Sequence, residues 1–220
     1  MQPIDFYFDF ASPYGYFMSE KIDALAAGHG RTVTWRPVLL FAALRALGLP
    51  APLEHPVKLE YTTADFARSA RFLGVDYRLP PSFPAVTQHA ARAFYLLREH
   101  APGAAVPFAH AALRGFFSGG LDITDLQVVA QLACDQTAAL GDAGVVRNHL
   151  QAAEARTLLQ DAIAAAVERK VFGSPFVIID GEPFFGVDRL PQIAAKLAAG
   201  NQPRGHDSPG DKHEARPRQH

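Results

Sequence analysis

Sequence with the character of β-strands is confined to the two ends of this 220-residue chain. At the start, Phe6, Phe8 and Phe10 alternate with Tyr7 and Asp9, and both sets are largely apolar, as expected of a strand buried on both faces. From Pro13 the period changes. Met18, Ile22, Leu25 and Ala26 fall on one helical face, which Gly28-His29-Gly30 closes. Arg31 to Val38 then reads as a second strand stopped at Pro37, so strand, helix and strand make a βαβ unit with parallel strands. Near the other end, Phe176 to Ile179, the turn Asp180-Gly181 and Glu182 to Phe185 carry a hairpin pattern, followed by a helix over Val187 to Ala199.

Everything between reads as helix. The segments are Phe41–Leu47, Lys58–Leu73, Val86–His100, Val106–Ser118 and Thr124–Gln136, the last with Asp122 or Thr124 as cap candidate. A further run leads from Asp142 through Leu150 to a strong helix with Leu159, Ala162, Ile163, Ala166 and Val167 on one side. Pro80-Pro81-Ser82-Phe83-Pro84 forces an irregular crossing within this block. The order β-α-β, helical insertion, α-β-β-α predicts an α/β chain: a thioredoxin-like fold with an all-helical domain inserted after the second strand. The expected division is 1–40 with 155–200 as the thioredoxin-like domain and 41–154 as the inserted helical domain. The segment 201–220 is rich in Pro, Gly, His and charge and is expected to be a disordered tail.

Composition narrows the function classes. With 49% hydrophobic residues the chain can bury a substantial core, and a formal net charge of −1 offers no footprint for nucleic acid or an anionic membrane. No apolar run approaches the ~18–20 residues of a membrane span and no leader pattern is visible, so a cytoplasmic protein is expected. A single cysteine, Cys134, excludes an intrachain disulfide and reads as a small packed hydrophobe. Of nine histidines, His55, His89, His100, His110 and His149 lie in the helical block without metal-ligand spacing, and no metal site is expected. Neither a G-x-G-x-x-G after a strand nor a Walker loop is present.

Three patches are candidates for chemistry. Ser12-Pro13 sits where the first strand hands over to a helix. Serine is a favoured N-cap and proline a favoured first helical residue, so simple capping is one reading. The other is an anion site, since free N–H groups and the positive dipole end gather there, at the reactive end of such a sheet. Gly173-Ser174-Pro175-Phe176 precedes a strand. A trans proline is one possibility; a cis Ser174–Pro175 bond, which would expose the backbone of Ser174 to a ligand's peptide, is the other. In Gly186-Val187-Asp188-Arg189, Asp188 is either a first-turn acid or, with the neighbouring amides, a site for a zwitterion. Ser12 lacks the G-x-S-x-G setting of a hydrolase nucleophile.

These stretches carry a resemblance. F-Y-F-D-F-A-S-P-Y at Phe6–Tyr14, W-R-P-V-L-L at Trp35–Leu40 and G-S-P-F-V-I-I-D-G-E-P-F-F-G-V-D-R-L at Gly173–Leu190 resemble the 2-hydroxychromene-2-carboxylate isomerases and the related kappa-class glutathione transferases. The likeness spans residues 4 to 200. It is similar in fold to the bacterial disulfide oxidoreductases, but Ser12-Pro13-Tyr14-Gly15 stands where those carry C-x-x-C, which excludes dithiol chemistry at this site. The resemblance implies glutathione as cofactor and a small aromatic substrate, with a homodimer as the usual assembly. It places Ser12 on the glutathione thiol with Pro13 and Tyr14 also binding the cofactor, Ser174 ahead of a cis Pro175 on its backbone, Val187 and Asp188 at its γ-glutamyl end, and Lys58 as a further glutathione contact. Arg36 or Lys58 is the candidate for a substrate carboxylate. Phe41, Arg45, Leu49 and Val86 depart from the family pattern at positions that bear on the accepted electrophile. The implied reaction is isomerisation without consumption of glutathione. A glutathione transferase or peroxidase, or a non-catalytic binding module, are the alternatives.

Overall fold

The first strand, β1 (Ile4–Phe8), lies inside a four-stranded sheet in the computed structural model, which describes residues 2–200. The strand order is β2-β1-β3-β4. β2 (Val33–Pro37) runs parallel to β1 with Trp35 opposite Phe6, and β3 (Phe176–Ile179) runs antiparallel on the other side with Val177 opposite Phe6. β4 (Glu182–Phe185) completes the hairpin through Asp180 and Gly181, whose φ values of 51° and 87° match the turn that suits strand twist. Burial on both faces explains why β1 shows no polar face. Ile4, Phe6 and Phe8 are fully buried in the larger core, and Tyr7 enters a smaller one on the opposite face with Val38, Val171, Phe176 and Ile178. Trp35 meets Phe6 and Phe8 edge-on at 5.2 and 5.4 Å, and these rings tie the two parallel strands together.

The first helix, α1 (Pro13–Ala27), connects β1 to β2. Between β2 and β3 the described residues form helices only: α2 (Leu40–Ala46), α3 (Pro56–Leu73), α4 (Gln88–His100), α5 (Pro102–Phe117), α6 (Leu126–Gln136), α7 (Ala143–Gln151) and α8 (Ala153–Glu168). One 3₁₀ turn, Val187–Arg189, leads into α9 (Leu190–Gly200). α4 packs against α5, α6, α7 and α8, while α1 packs against α5 and α3, so the helical block rests on the helix that follows β1. A polar cluster fastens α1 to α5. Arg114 donates two hydrogen bonds of 2.9 Å to Glu20, His110 lies 3.4 Å from Glu20 and 3.7 Å from Asp23, and the Trp35 indole N–H donates to Asp23.

Several boundaries differ from the sequence expectation. The cap of α6 is Asp125, whose carboxylate accepts from Gln127 N–H at 2.7 Å; Asp122 is engaged by Thr124 instead. α5 starts at Pro102 rather than Val106, because proline suits a first turn, and it tolerates Pro107 inside. α4 begins at Gln88 rather than Val86. The run from Asp142 is two helices, split where Ala152 adopts extended backbone (φ −69°, ψ 164°). α8 starts at Ala153, two residues before the expected domain boundary. The expected disordered tail, 201–220, lies outside the described residues.

Candidate active site

Local rules bring Ser12 to the head of α1. Past β1 the chain turns, with Ser12 N–H donating to the Asp9 carbonyl at 2.9 Å. Ser12 keeps an extended backbone (φ −94°, ψ 113°), its Oγ accepts from Gly15 N–H at 3.1 Å, and Pro13 fills the first helical position. Ser12 therefore is an N-cap. The structure also shows its second engagement: the hydroxyl donates to the carbonyl of Ser174, 162 residues away, at 3.1 Å. The Ser174–Pro175 peptide is cis, and Phe83–Pro84 is a second cis peptide.

Ser174 is held from behind. Its Oγ accepts from Asp9 N–H at 2.9 Å, and the Pro175 carbonyl accepts from Gly186 N–H at 3.0 Å. A side chain at position 15 is excluded by the same approach: a Cβ there would lie 2.9 Å from Ser174 Oγ and 3.2 Å from Ser12 Cβ. Glycine in the first turn of α1 is thus what lets the cis-proline loop reach the helix terminus.

Asp9, which sequence reasoning passed over, organises the surroundings. It is 5% exposed, and its carboxylate accepts from Ala11 N–H (2.9 Å), Leu40 N–H (2.8 Å) and the Thr87 hydroxyl (3.0 Å). Burial pushes its carboxyl above the ordinary range, while these three hydrogen bonds oppose the shift. The two backbone N–H groups can only donate, which suits the ionised form, and the Thr87 hydroxyl can join them as a third donor. Thr87 stands at the N-cap of α4 but makes no cap hydrogen bond with its side chain, because its hydroxyl is turned to Asp9. The one available signal was an acid inside an apolar strand run; its partners at 40 and 87 carried none.

These groups open onto a cavity of about 250 Å³. Ser12, Pro13 and Tyr14 line it on the α1 side, and Gly173 and Ser174 on the cis-proline side. The remaining wall is apolar and aromatic, with Phe41, Leu53, Phe66, Phe83 and Ala85 from the helical block. Phe172 and Phe185, in edge contact at 5.1 Å, stand at its rim. Tyr14 donates to Asp65 of α3 at 2.5 Å, and burial with that carboxylate holds its phenol well above the usual range. Asp9 and Tyr14 are the ionisable groups in the lining; no cation is among them.

The other candidates lie outside this lining. Arg36 is paired with Asp5 at 2.7 Å and lies over the Tyr7 ring on β1. Lys58 is exposed on α3, one turn before the lining residue Thr62 and on the same helical face. Pro175 and Val187 are next to the site in the chain but do not line it, and Val187 is buried in the core. Asp188 is exposed, paired with Arg189 at 2.6 Å, in a turn that packs against α1. Of the departing positions, Phe41 lines the cavity, while Leu49 and Val86 are exposed. Among the described residues, no group of three or more His, Cys, Asp or Glu could hold a metal, and no helix is long and apolar enough to cross a membrane.

Comparison with known proteins agrees with this fold. A family profile described as DSBA-like thioredoxin domain matches residues 3–198. The chain is 30% identical over 196 residues to a 2-hydroxychromene-2-carboxylate isomerase of Sphingobium xenophagum, covering 88% of this chain and 97% of that one. It is 27% identical over 209 residues to glutathione S-transferase kappa 2 of Caenorhabditis elegans, covering 89% and 91%. A solved structure of selenomethionine 2-hydroxychromene-2-carboxylate isomerase superposes with a TM-score of 0.78 at 26% identity, covering 90% of this chain and 95% of that one.

Proposed function

The chain belongs to the DSBA-like thioredoxin family and, within it, to the 2-hydroxychromene-2-carboxylate isomerases, and on that premise we propose that it is a glutathione-dependent isomerase. It interconverts 2-hydroxychromene-2-carboxylate and trans-o-hydroxybenzylidenepyruvate. The observation that carries this is the meeting of the Ser12 hydroxyl, at the N-terminus of α1, with the backbone of Ser174 ahead of cis-Pro175, at the edge of an aromatic cavity.

The chemistry needs a thiolate. A free thiol near pKa ~8.5 is only roughly 3% ionised at pH 7. Lowering it by about two units brings this to roughly 75% and takes ~2.7 kcal/mol. A helix terminus supplies ~0.3–1 kcal/mol, at most about 2. A hydrogen bond from Ser12 to the charged sulfur adds ~1.5–3 kcal/mol, and together they suffice. The thiolate adds to the conjugated, ring-opened form of the substrate: a C–S bond forms, a double bond becomes single, and the displaced electron pair rests on the carbonyl oxygen as an enolate. Rotation about that bond and elimination of the thiolate give the trans product, and glutathione is regenerated. Ser12 is not the nucleophile; it keeps the cofactor's sulfur charged.

In this arrangement Pro13 and Tyr14 flank the sulfur, Ser174 and Pro175 take the cofactor's peptide, and Val187 with Asp188 receives the γ-glutamyl group. Lys58 serves the substrate carboxylate better than Arg36, which would first have to leave Asp5. The halves 1–40 with 155–200 hold the cofactor, and 41–154 supplies the electrophile wall. The enzyme works in the cytoplasm as a homodimer. Ser12→Ala assayed with glutathione is expected to lose turnover and raise the bound thiol pKa by at least one unit; unchanged values of both would sink the assignment. One observation favours a transferase on an uncharged electrophile instead, namely the absence of a cation in the cavity lining. Measuring glutathione against product decides, since an isomerase leaves glutathione unspent.

A further inference from the structure

We infer that the cofactor's own peptide N–H switches on its thiol, by taking over the hydrogen bond that now occupies the Ser12 proton. The inference rests on the glutathione chemistry proposed above and deepens it. A hydroxyl has one proton, and that of Ser12 is committed to the Ser174 carbonyl at 3.1 Å. Its oxygen is used separately, accepting from Gly15 N–H at 3.1 Å. Rotation about the Cβ–Oγ bond alone moves the proton from Ser174 to a sulfur in the cavity, with the helix cap kept throughout.

What opposes that rotation is the carbonyl left behind. Ser174 is 8% exposed, and among the described residues the Ser12 hydroxyl is its carbonyl's hydrogen-bond donor. An orphaned buried carbonyl is costly, so an empty site holds the proton on Ser174. Ser174 cannot move to relieve this, because Asp9 N–H fixes its hydroxyl at 2.9 Å and the Asp9 carboxylate is itself fixed by Ala11, Leu40 and Thr87. A peptide aligned on Ser174 presents an N–H to the same carbonyl. With the carbonyl satisfied by the ligand, the Ser12 proton is released to the sulfur. Docking of the backbone and ionisation of the thiol are therefore one coupled event, and thiols that lack the peptide donor are activated less.

The test uses glutathione and its depsipeptide analogue, in which an ester oxygen replaces the cysteinyl N–H. Each is bound at saturation and its thiol titrated by ultraviolet thiolate absorbance, relative to the same compound free in solution. The downward pKa shift is expected to be about one unit larger for glutathione, a tenfold difference in ionisation equal to ~1.4 kcal/mol. In Ser12→Ala the two shifts should be equal. Equal shifts in the unaltered protein, or a difference that persists in Ser12→Ala, would overturn the coupling. Should the ester bind too weakly to titrate, the ratio of the two affinities, read by competition, is expected to widen with pH across the thiol pKa; a constant ratio overturns the inference too. If glutathione fails even to raise the melting temperature, the proposed function falls and the inference with it. If glutathione supports Ser12-dependent turnover yet the shifts match, the inference alone falls.

Discussion

Thr87→Val isolates the buried link between Asp9 and the helical block. Valine keeps the shape of threonine and replaces the hydroxyl that donates to Asp9 at 3.0 Å with a methyl group. Thr87 is 1% exposed, so water cannot substitute. A hydrogen bond to a charged acceptor is worth ~1.5–3 kcal/mol. For a protein of this size ~1 kcal/mol moves Tm by about 2–4 °C, so a fall of about 3–12 °C is expected. In an Asp9→Asn background the same substitution removes a neutral bond of ~0.5–1.5 kcal/mol. Urea unfolding of the four proteins should therefore show a coupling energy of roughly 1 kcal/mol. Because Phe83, Pro84 and Ala85 lead directly into Thr87, the aromatic wall loosens, and kcat/KM for the electrophile should fall about three- to tenfold. If Thr87→Val costs the same beside Asp9 and beside asparagine, the ionised carboxylate assigned here is wrong. If stability falls as expected but kcat/KM is untouched, the link holds the fold without shaping the site.

Gly173→Ala drives a Cβ into the Phe185 ring, so it should destabilise the protein by ~1–3 kcal/mol, and Phe185→Ala in the same chain should recover most of that in thermal melts. Tyr14→Phe removes the bond to Asp65 and should lower stability by ~0.5–1.5 kcal/mol, while the bound thiol pKa stays where it is; a raised pKa would give Tyr14 a direct part in activation. Burial pushes the His110 imidazole down, but the Asp23 and Glu20 carboxylates beside it prevail and raise it above its ordinary value. Its contribution to stability is then complete below the unfolded pKa of ~6.5 and is lost as pH rises through the folded value. His110→Gln should flatten the decline of Tm above about pH 6.5, and an unaltered slope would assign the decline elsewhere.

What could be read from the sequence was local. Alternation at Ile4–Phe10 predicted a strand buried on both faces, Asp180-Gly181 predicted the hairpin, and Ser12-Pro13 predicted a capped helix, each from rules that act over a few residues. Spacing alone left the Ser174–Pro175 bond open between cis and trans; the fold arrangement and the family resemblance predicted cis, because position relative to a sheet decides it. Two long-range matters were not legible. The Asp9–Thr87 bond joins residues 78 apart, and nothing near either one announces the other. The direction of Arg36 depends on which face of β2 it takes, and its place opposite Tyr7 commits it to Asp5, away from the cavity lining. The break between α7 and α8 falls at Ala152, where neither glycine nor proline marks it.

The charge balance of the cavity bears on the role proposed for Ser12. With Asp9 the carboxylate in the lining and no cation beside it, a resident thiolate would have no countercharge. In the proposed mechanism stabilisation comes from dipoles: the Ser12 hydroxyl and the positive end of the α1 dipole. Such dipoles act more strongly against an apolar wall than in water, and Phe66, Phe83 and Ala85 supply that wall. In the proposed addition the sulfur becomes a neutral thioether and the negative charge passes to the enolate oxygen of the opened substrate. Elimination returns the charge to a sulfur whose donor is already aligned. A lysine or arginine in place of Ser12 would hold a thiolate more tightly and resist its addition; on the proposed reading a hydroxyl, freed from Ser174 only when the ligand is docked, favours the anion only as far as a reversible reaction needs.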